Sequence, residues 1–218
     1  MSLRLGTDGL APAVICVETA LQRARALAAS GERRILGIAG MPGASKSTLA
    51  RRVSEELAAA AVYVPMDGFH LANHELLRLG RRDRKGAVDT FDATGFVHLL
   101  WRLRAGEDDV VYAPSFLREI EEPIAGWIPV PADVPLVVTE GNYLLACQNG
   151  WERVRPLLDE AWYVEVAEET RLQRLITRHR AFGKSEEDAR HWTLGSDQTN
   201  AQLIRATRDR ADVVVRID

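Results

Sequence analysis

Short apolar runs and stretches of helical spacing take turns along this chain, and the changes of pattern locate its elements. In "AVICVETALQRARALAAS", Glu18, Arg23 and Arg25 recur at helical spacing among apolar residues. That predicts an amphipathic surface helix as the N-terminal element, residues 1–33, rather than a signal segment. "RRILGIAG" is an apolar run closed by Gly40 and predicts a buried strand. From Ser47 to Ala60, Leu49, Val53 and Leu57 fall four apart, the apolar stripe of a helix. "AVYVPMD" predicts a second strand running out at Asp67, and Phe96 to Leu103 a helix. "DVVYAP" starts as a strand that Pro114 stops. With Pro123, Pro129, Pro131 and Pro135 following, residues 113–135 read as extended loop. "PLVVTEGNYLL" is a β-branched strand closing at Glu140, and "WYVEV" and "DVVVRI" add two more. Between these last two, residues 167–210 read as charged helices broken near "FGKS" and "LGSD".

Apolar strands alternating with helices predict an α/β fold, a mostly parallel sheet covered on both faces, in one domain spanning 1–218. Ligands in that architecture bind beyond the carboxyl ends of the strands. Gly40, Asp67 and Glu140 all fall at such ends. The charged, weakly periodic stretch from Gly68 to Thr94 is long for a plain connection, which marks it as functional.

Composition narrows the classes. The 218 residues are 46% apolar and 27% charged, enough for a soluble domain with a real core. The net charge of −3 supplies no basic field for nucleic acid, and no apolar run is long enough to span a bilayer. Cys16 and Cys147 are the only cysteines. Their apolar surroundings predict buried reduced thiols and a cytoplasmic protein.

The chemistry starts at "GMPGASKST". In the pattern G-x-x-x-x-G-K-[ST], successive backbone N–H groups wrap a β-phosphate while the following helix points its positive end at it. Gly40, Gly43, Lys46 and Ser47 hold their places after a strand and before a helix. The predicted nucleotide loop is therefore Gly40, Met41, Pro42, Gly43, Ala44, Ser45, Lys46, Ser47 and Thr48. Lys46 would neutralise the β- and γ-phosphates and the Ser47 hydroxyl would ligate Mg²⁺. Ser45 stands where the pattern has glycine. If that position needs φ > 0, serine costs about 1–2 kcal/mol of strain, but it keeps the N–H that holds phosphate. The plain alternative is a glycine-rich turn that happens to contain Lys-Ser.

Asp67, in "VPMDGFHL", is placed to take a proton from a substrate hydroxyl; the alternative is an aspartate capping an Asp-Gly turn. Glu140 resembles the acid of a Walker B strand and would hold Mg²⁺ directly or through water. Arg171, Arg174 and Arg178 share a helix face. Either that face is solvated and paired with Glu168 and Glu169, or residues 168–184 form a lid that brings Arg174 and Arg178 to the transferring phosphoryl group.

In this order, "GMPGASKSTLA", "VPMDGFHL", "RKGAVDTFD", "PSFLRE", "VVTEGNYLL", "RLITRH" and "SDQTNAQLI" resemble the P-loop small-molecule kinases that include uridine kinase, phosphoribulokinase and bacterial pantothenate kinase. The resemblance covers roughly residues 35–217, with the nearest likeness to bacterial nucleoside-kinase-like, or fructose-transport-system-kinase-like, proteins. It implies a P-loop NTPase three-layer α/β/α sandwich with a helical lid, and ATP- and Mg²⁺-dependent transfer of phosphoryl to a hydroxyl of a nucleoside, a sugar or a pantothenate-like alcohol. It implies Asp67 as base, with Arg84, Lys85, Asp92 and Arg118 lining an acceptor site built from segments 68–94 and 113–134. His70 either bonds an acceptor hydroxyl or packs the loop, and Asn200 lies near the adenine. The family often has an acid where this chain has Leu117, which leaves the acceptor open. Expected partners are a small-molecule hydroxyl acceptor and neither nucleic acid nor membrane; pairing with a second copy stays open. Two other classes compete. One is a non-catalytic nucleotide-binding regulator; the other is a P-loop GTPase, although no N-K-x-D motif for guanine is present.

Overall fold

The computed structural model describes residues 11–217. In chain order the elements are β1 (Ala13–Ile15), α1 (Val17–Ala28), β2 (Arg34–Gly40), α2 (Lys46–Leu57), β3 (Ala61–Pro65), α3 (Asn73–Arg78) and α4 (Ala93–Ala105). There follow β4 (Val110–Leu117), β5 (Glu122–Pro131), β6 (Leu136–Glu140), β7 (Glu160–Glu165), α5 (Glu168–Ala181), α6 (Glu186–Trp192), α7 (Gln198–Arg205) and β8 (Val213–Arg216). Six strands make one parallel sheet in the order β1-β8-β7-β2-β6-β3.

Alternation along the central strands explains the layers. Ile35 and Ala39 of β2 and Tyr163 of β7 join the core that holds Phe96 and Leu100 of α4 and Ile204 of α7. Leu36 and Ile38 of β2 and Trp162 of β7 join the opposite core, with Leu21 of α1 and Val53 of α2. Both faces are thus buried, which is why these strands read as continuous apolar runs rather than alternating ones. Order reverses at β2, whose neighbours are β7 on one side and β6 on the other. The loop after Gly40 therefore opens at a topological switch point, where such sheets bind ligands.

Four details differ from the sequence reading. The expected N-terminal helix is shorter than 1–33: Ala13–Ile15 pair with Val213–Val215 as an edge strand, and the part of that expectation on residues 1–10 lies outside the described residues. The proline-rich stretch is no loop but an antiparallel hairpin, β4 against β5. In a two-stranded ribbon each strand has one side that pairs with nothing, so prolines fit there. Pro114 sits where the register shifts between Ala113 and Ser115. "FGKS" does end α5, but "LGSD" breaks nothing: Thr193–Asp197 form a π-helical turn joining α6 to α7. Cys16 and Cys147 are exposed rather than buried.

The long charged stretch after Asp67 is ordered. It carries α3 and returns to its start through a bridge between His70 and Phe91. Its far side is pinned from the core, where Tyr143 Oη donates to Gly86 O (2.7 Å) and Trp151 Nε1 to Val88 O (3.1 Å).

Candidate active site

The loop between β2 and α2 has the backbone that phosphate binding needs. Gly43 has φ +82°, and a Cβ there would come within 2.8 Å of Arg171 O, so glycine is required twice over. Ser45 has φ 67° and ψ 28°, the left-handed conformation. The conditional strain is therefore real, about 1–2 kcal/mol. Although Ser45 is the N-cap of α2, its hydroxyl makes no capping bond, which leaves the first N–H groups of α2 free for an anion.

Lys46 is 8% exposed, and its Nζ donates to Met41 O at 3.0 Å. Burial pushes its pKa down to about 8, with Glu140 pulling against that shift and Arg178 adding to it. Across the loop, Glu140 is 4% exposed at the end of β6. One of its oxygens accepts from both Ser47 Oγ (3.0 Å) and Tyr63 Oη (2.7 Å). Burial and the neighbouring Asp67 raise the Glu140 pKa; Lys46 and the two hydroxyl donors oppose them. Burial and Glu140 together push the Tyr63 phenol up.

Asp67 sits in the short helical turn after β3, and its Oδ2 accepts from Arg118 Nη2 at 3.2 Å. The Arg118 guanidinium lies over two rings, Phe116 at 5.8 Å and Phe182 at 6.0 Å. His70 donates from Nδ1 to Asp67 O (2.7 Å) and packs against Phe91 and Phe116, at 4.0 and 4.6 Å between centroids. Burial lowers its pKa, so the neutral ring is left with Nε2 as an acceptor. Lys85 Nζ donates to Asn73 Oδ1 (2.8 Å) and to Glu121 O and lies 5.1 Å above Phe116.

These groups surround one cleft with two lobes. A lobe of about 410 Å³ is lined by Lys46, Asp67, His70, Lys85, Arg178 and Asn200, among others. A second, of about 290 Å³, lies between Arg51 and Tyr63 on one side and Trp127 of the hairpin on the other. Ser47, Asp67, Phe116, Arg118 and Glu140 line both. Beyond Met41, on the other flank of the phosphate loop, a cavity of about 380 Å³ is lined by Tyr163, Glu165, Thr170, Arg205 and Arg208. The Tyr163 hydroxyl is buried there without a hydrogen-bond partner.

Two expected acceptor residues stand outside the cleft. Arg84 makes a two-pronged pair with Asp89 and lines neither lobe. Asp92 caps α4, accepting from Gly95 N at 2.8 Å. Both shape the segment that carries Lys85 rather than touching what it holds. Asn200 lines the larger lobe together with Lys46 and Arg178. Of the arginines on α5, Arg178 reaches the cleft, while Arg174 donates to Ser45 Oγ at 2.9 Å. Arg171 is fully buried; it bonds Glu168 and Gln198 and donates to Pro42 O (3.3 Å). It is not a solvated residue. Sequence reasoning missed Tyr63, Arg51, Trp127 and Tyr163. Only their alternation on strands or helix marks them, and that pattern is shared with ordinary core and surface residues.

A parallel sheet with a phosphate loop at its switch point, a buried lysine, a hydroxyl paired with a strand-end acid and a second acid facing an open cleft define a nucleotide-dependent phosphotransferase. Residues 35–217 match the Phosphoribulokinase / Uridine kinase family, and the chain belongs to it. It is 32% identical over 217 residues to a Schizosaccharomyces pombe protein provisionally named a uridine kinase, covering 94% of this chain and 92% of that one. It is 33% identical over 152 residues to an ATP-dependent kinase-like protein of Aspergillus versicolor, covering 66% and 88%. Among solved structures, one provisionally described as a fructose transport system kinase from Silicibacter sp. TM1040 superposes with a TM-score of 0.82 at 32% identity, over 92% and 98% of the two chains. The chain is accordingly a kinase that uses ATP. Among the described residues no helix is long and apolar enough to cross a membrane.

Proposed function

We propose that this kinase moves the γ-phosphoryl group of ATP to a hydroxyl of a small metabolite held in the two-lobed cleft, with Asp67 as the base. The observation that carries this reading is the position of Asp67. It lines both lobes with Ser47 and Glu140, the larger one also with Lys46, and Arg118 tethers it from the acceptor side. A carboxylate there accepts the hydroxyl proton as the oxygen attacks. Lys46 and Arg178 offset charge on the phosphoryl oxygens, and His70 Nε2 is free to accept from a second hydroxyl. Most of the rate then comes from positioning and electrostatics.

The residues present fit Mg²⁺. Ser47 and Glu140 are in contact, and Asp67 lies close enough to the buried Glu140 to help raise its pKa. Among the described residues no three acidic, His or Cys side chains form a closed metal group. That suits an ion which keeps waters and binds through few carboxylates plus substrate phosphates. When bound, it would neutralise phosphate charge. The cavity beside Met41, with its unpartnered Tyr163 hydroxyl, takes the nucleoside end of ATP in this reading, in place of Asn200.

ADP release measured against nucleosides, sugars and pantothenate-like alcohols tests the reading. Acceptor-dependent ADP release, slowed by roughly 10²–10⁴ in Asp67→Asn, is the expected result.

A further inference from the structure

The serine that departs from the phosphate-loop pattern has a partner of its own. Its hydroxyl leaves the helix end uncapped, although capping is what serine at that position ordinarily does. It instead accepts from Arg174 Nη1 at 2.9 Å. Glycine, which suits the left-handed backbone better, would offer no such acceptor.

The helix that carries Arg174 is held against the loop independently. One turn earlier, the buried Arg171 donates to Pro42 O, and the absence of a side chain at Gly43 lets the backbone and Leu175 of α5 approach closely. Arg174 is therefore delivered to Ser45 by a fixed scaffold. Among the described residues it pairs with no carboxylate. A neutral hydroxyl occupies one N–H of the guanidinium and leaves the others, and the full charge, available to an anion.

We propose that Ser45 is a positioning residue for the nucleotide: its hydroxyl holds the Arg174 guanidinium beside the phosphate loop, so that the arginine meets the phosphates already oriented. The proposal rests on the ATP-dependent kinase reading above. Ordering a long side chain before binding removes part of the entropy cost that binding otherwise carries. The departure from glycine thus trades backbone ease for a preset cation.

Calorimetric titration of a non-hydrolysable ATP analogue with Mg²⁺ into wild type, Ser45→Ala, Arg174→Met and the double variant tests this. Ser45→Ala should weaken binding about fivefold and Arg174→Met about tenfold or more, with the double variant no weaker than Arg174→Met alone. Ser45→Gly serves as the second hydroxyl deletion. It relieves the backbone, so it should melt higher than wild type and still bind the analogue as weakly as Ser45→Ala. Losses that multiply in the double variant, or a Ser45→Gly protein that binds like wild type, would overturn the proposal while leaving the kinase reading intact. A wild type that does not bind the analogue at all would overturn both.

Discussion

Asp67 Oδ2 accepts from Arg118 Nη2 at 3.2 Å, which joins the acid at the end of β3 to the end of β4 in the hairpin that walls the cleft. In the proposed reading this pair links the base to the wall of the acceptor site. Asp67→Asn should lower kcat by roughly 10²–10⁴ and leave the affinity for Mg·ATP within about threefold. Arg118→Met should raise the KM for the acceptor more than that for ATP. Steady-state kinetics with isothermal titration separates these effects. Near-normal turnover by Asp67→Asn would remove Asp67 from the mechanism.

Lys46 supplies a pH signature. Burial sets its pKa at about 8 in the folded protein, against 10.5 for the free side chain. Between those values the unfolded chain keeps a proton that the folded one has lost, so this residue's contribution to stability rises with pH across the window. At pH 7 the folded protein bears the cost of a buried charge, so Lys46→Met should be the more stable protein, by at most about 3 kcal/mol. The difference should shrink as pH passes from 8 towards 10.5. Phosphate affinity of the wild type should move the other way, weakening above pH 8 by up to about tenfold per unit. Melts and titrations at pH 7, 8.5 and 10 check both signs.

The helix α5 is predicted to divide into a fixed and a free part. Arg171 is fully buried against the phosphate loop, whereas Phe182 is exposed near Arg118 and Gly183 follows it. Hydrogen exchange should be slow at residues 171–175 without ligand. It should slow further at residues 178–197 only when ATP analogue and acceptor are both present. Arg171→Leu should cost about 2–3 kcal/mol of stability, since several charged hydrogen bonds go with it. Uniform protection along α5 in the free protein would contradict the division.

What the sequence disclosed and what it withheld follow from the range of each interaction. The parallel sheet, the phosphate loop and the strand-end acids depend on local pattern, and each lay where apolar runs meet Gly40, Asp67 and Glu140. The hairpin was hidden because proline forbids strands only where both sides must pair, and a two-stranded ribbon does not ask that. Arg84 and Asp92 were placed in the acceptor site by likeness. Their actual partners, Asp89 and Gly95 N, lie within a few residues and fix local shape instead. The role of Arg171 was unreadable because its burial depends on Pro42 and Gln198, distant in the chain.

Tyr63 is the clearest residue the pattern could not reveal, since only the register of β3 against β6 brings its hydroxyl to Glu140. That bond pulls the Glu140 pKa down against burial and Asp67. Tyr63→Phe should therefore raise it further. Because catalysis in this reading needs the ionised acid, the acidic limb of the kcat/KM profile should move to higher pH. An unmoved limb would show that Glu140 does not govern it.

The central claim is transfer of phosphoryl to a bound hydroxyl with Asp67 as the base. Its most direct test is to incubate wild type and Asp67→Asn with γ-labelled ATP, Mg²⁺ and a panel of nucleosides, sugars and pantothenate-like alcohols, then follow the label. The account predicts that wild type places label on a hydroxyl of at least one acceptor, while Asp67→Asn binds ATP within about threefold as well and labels that acceptor at least about a hundredfold more slowly. Label that reaches only water, or the same acceptor labelled at the same rate by both proteins, would contradict it.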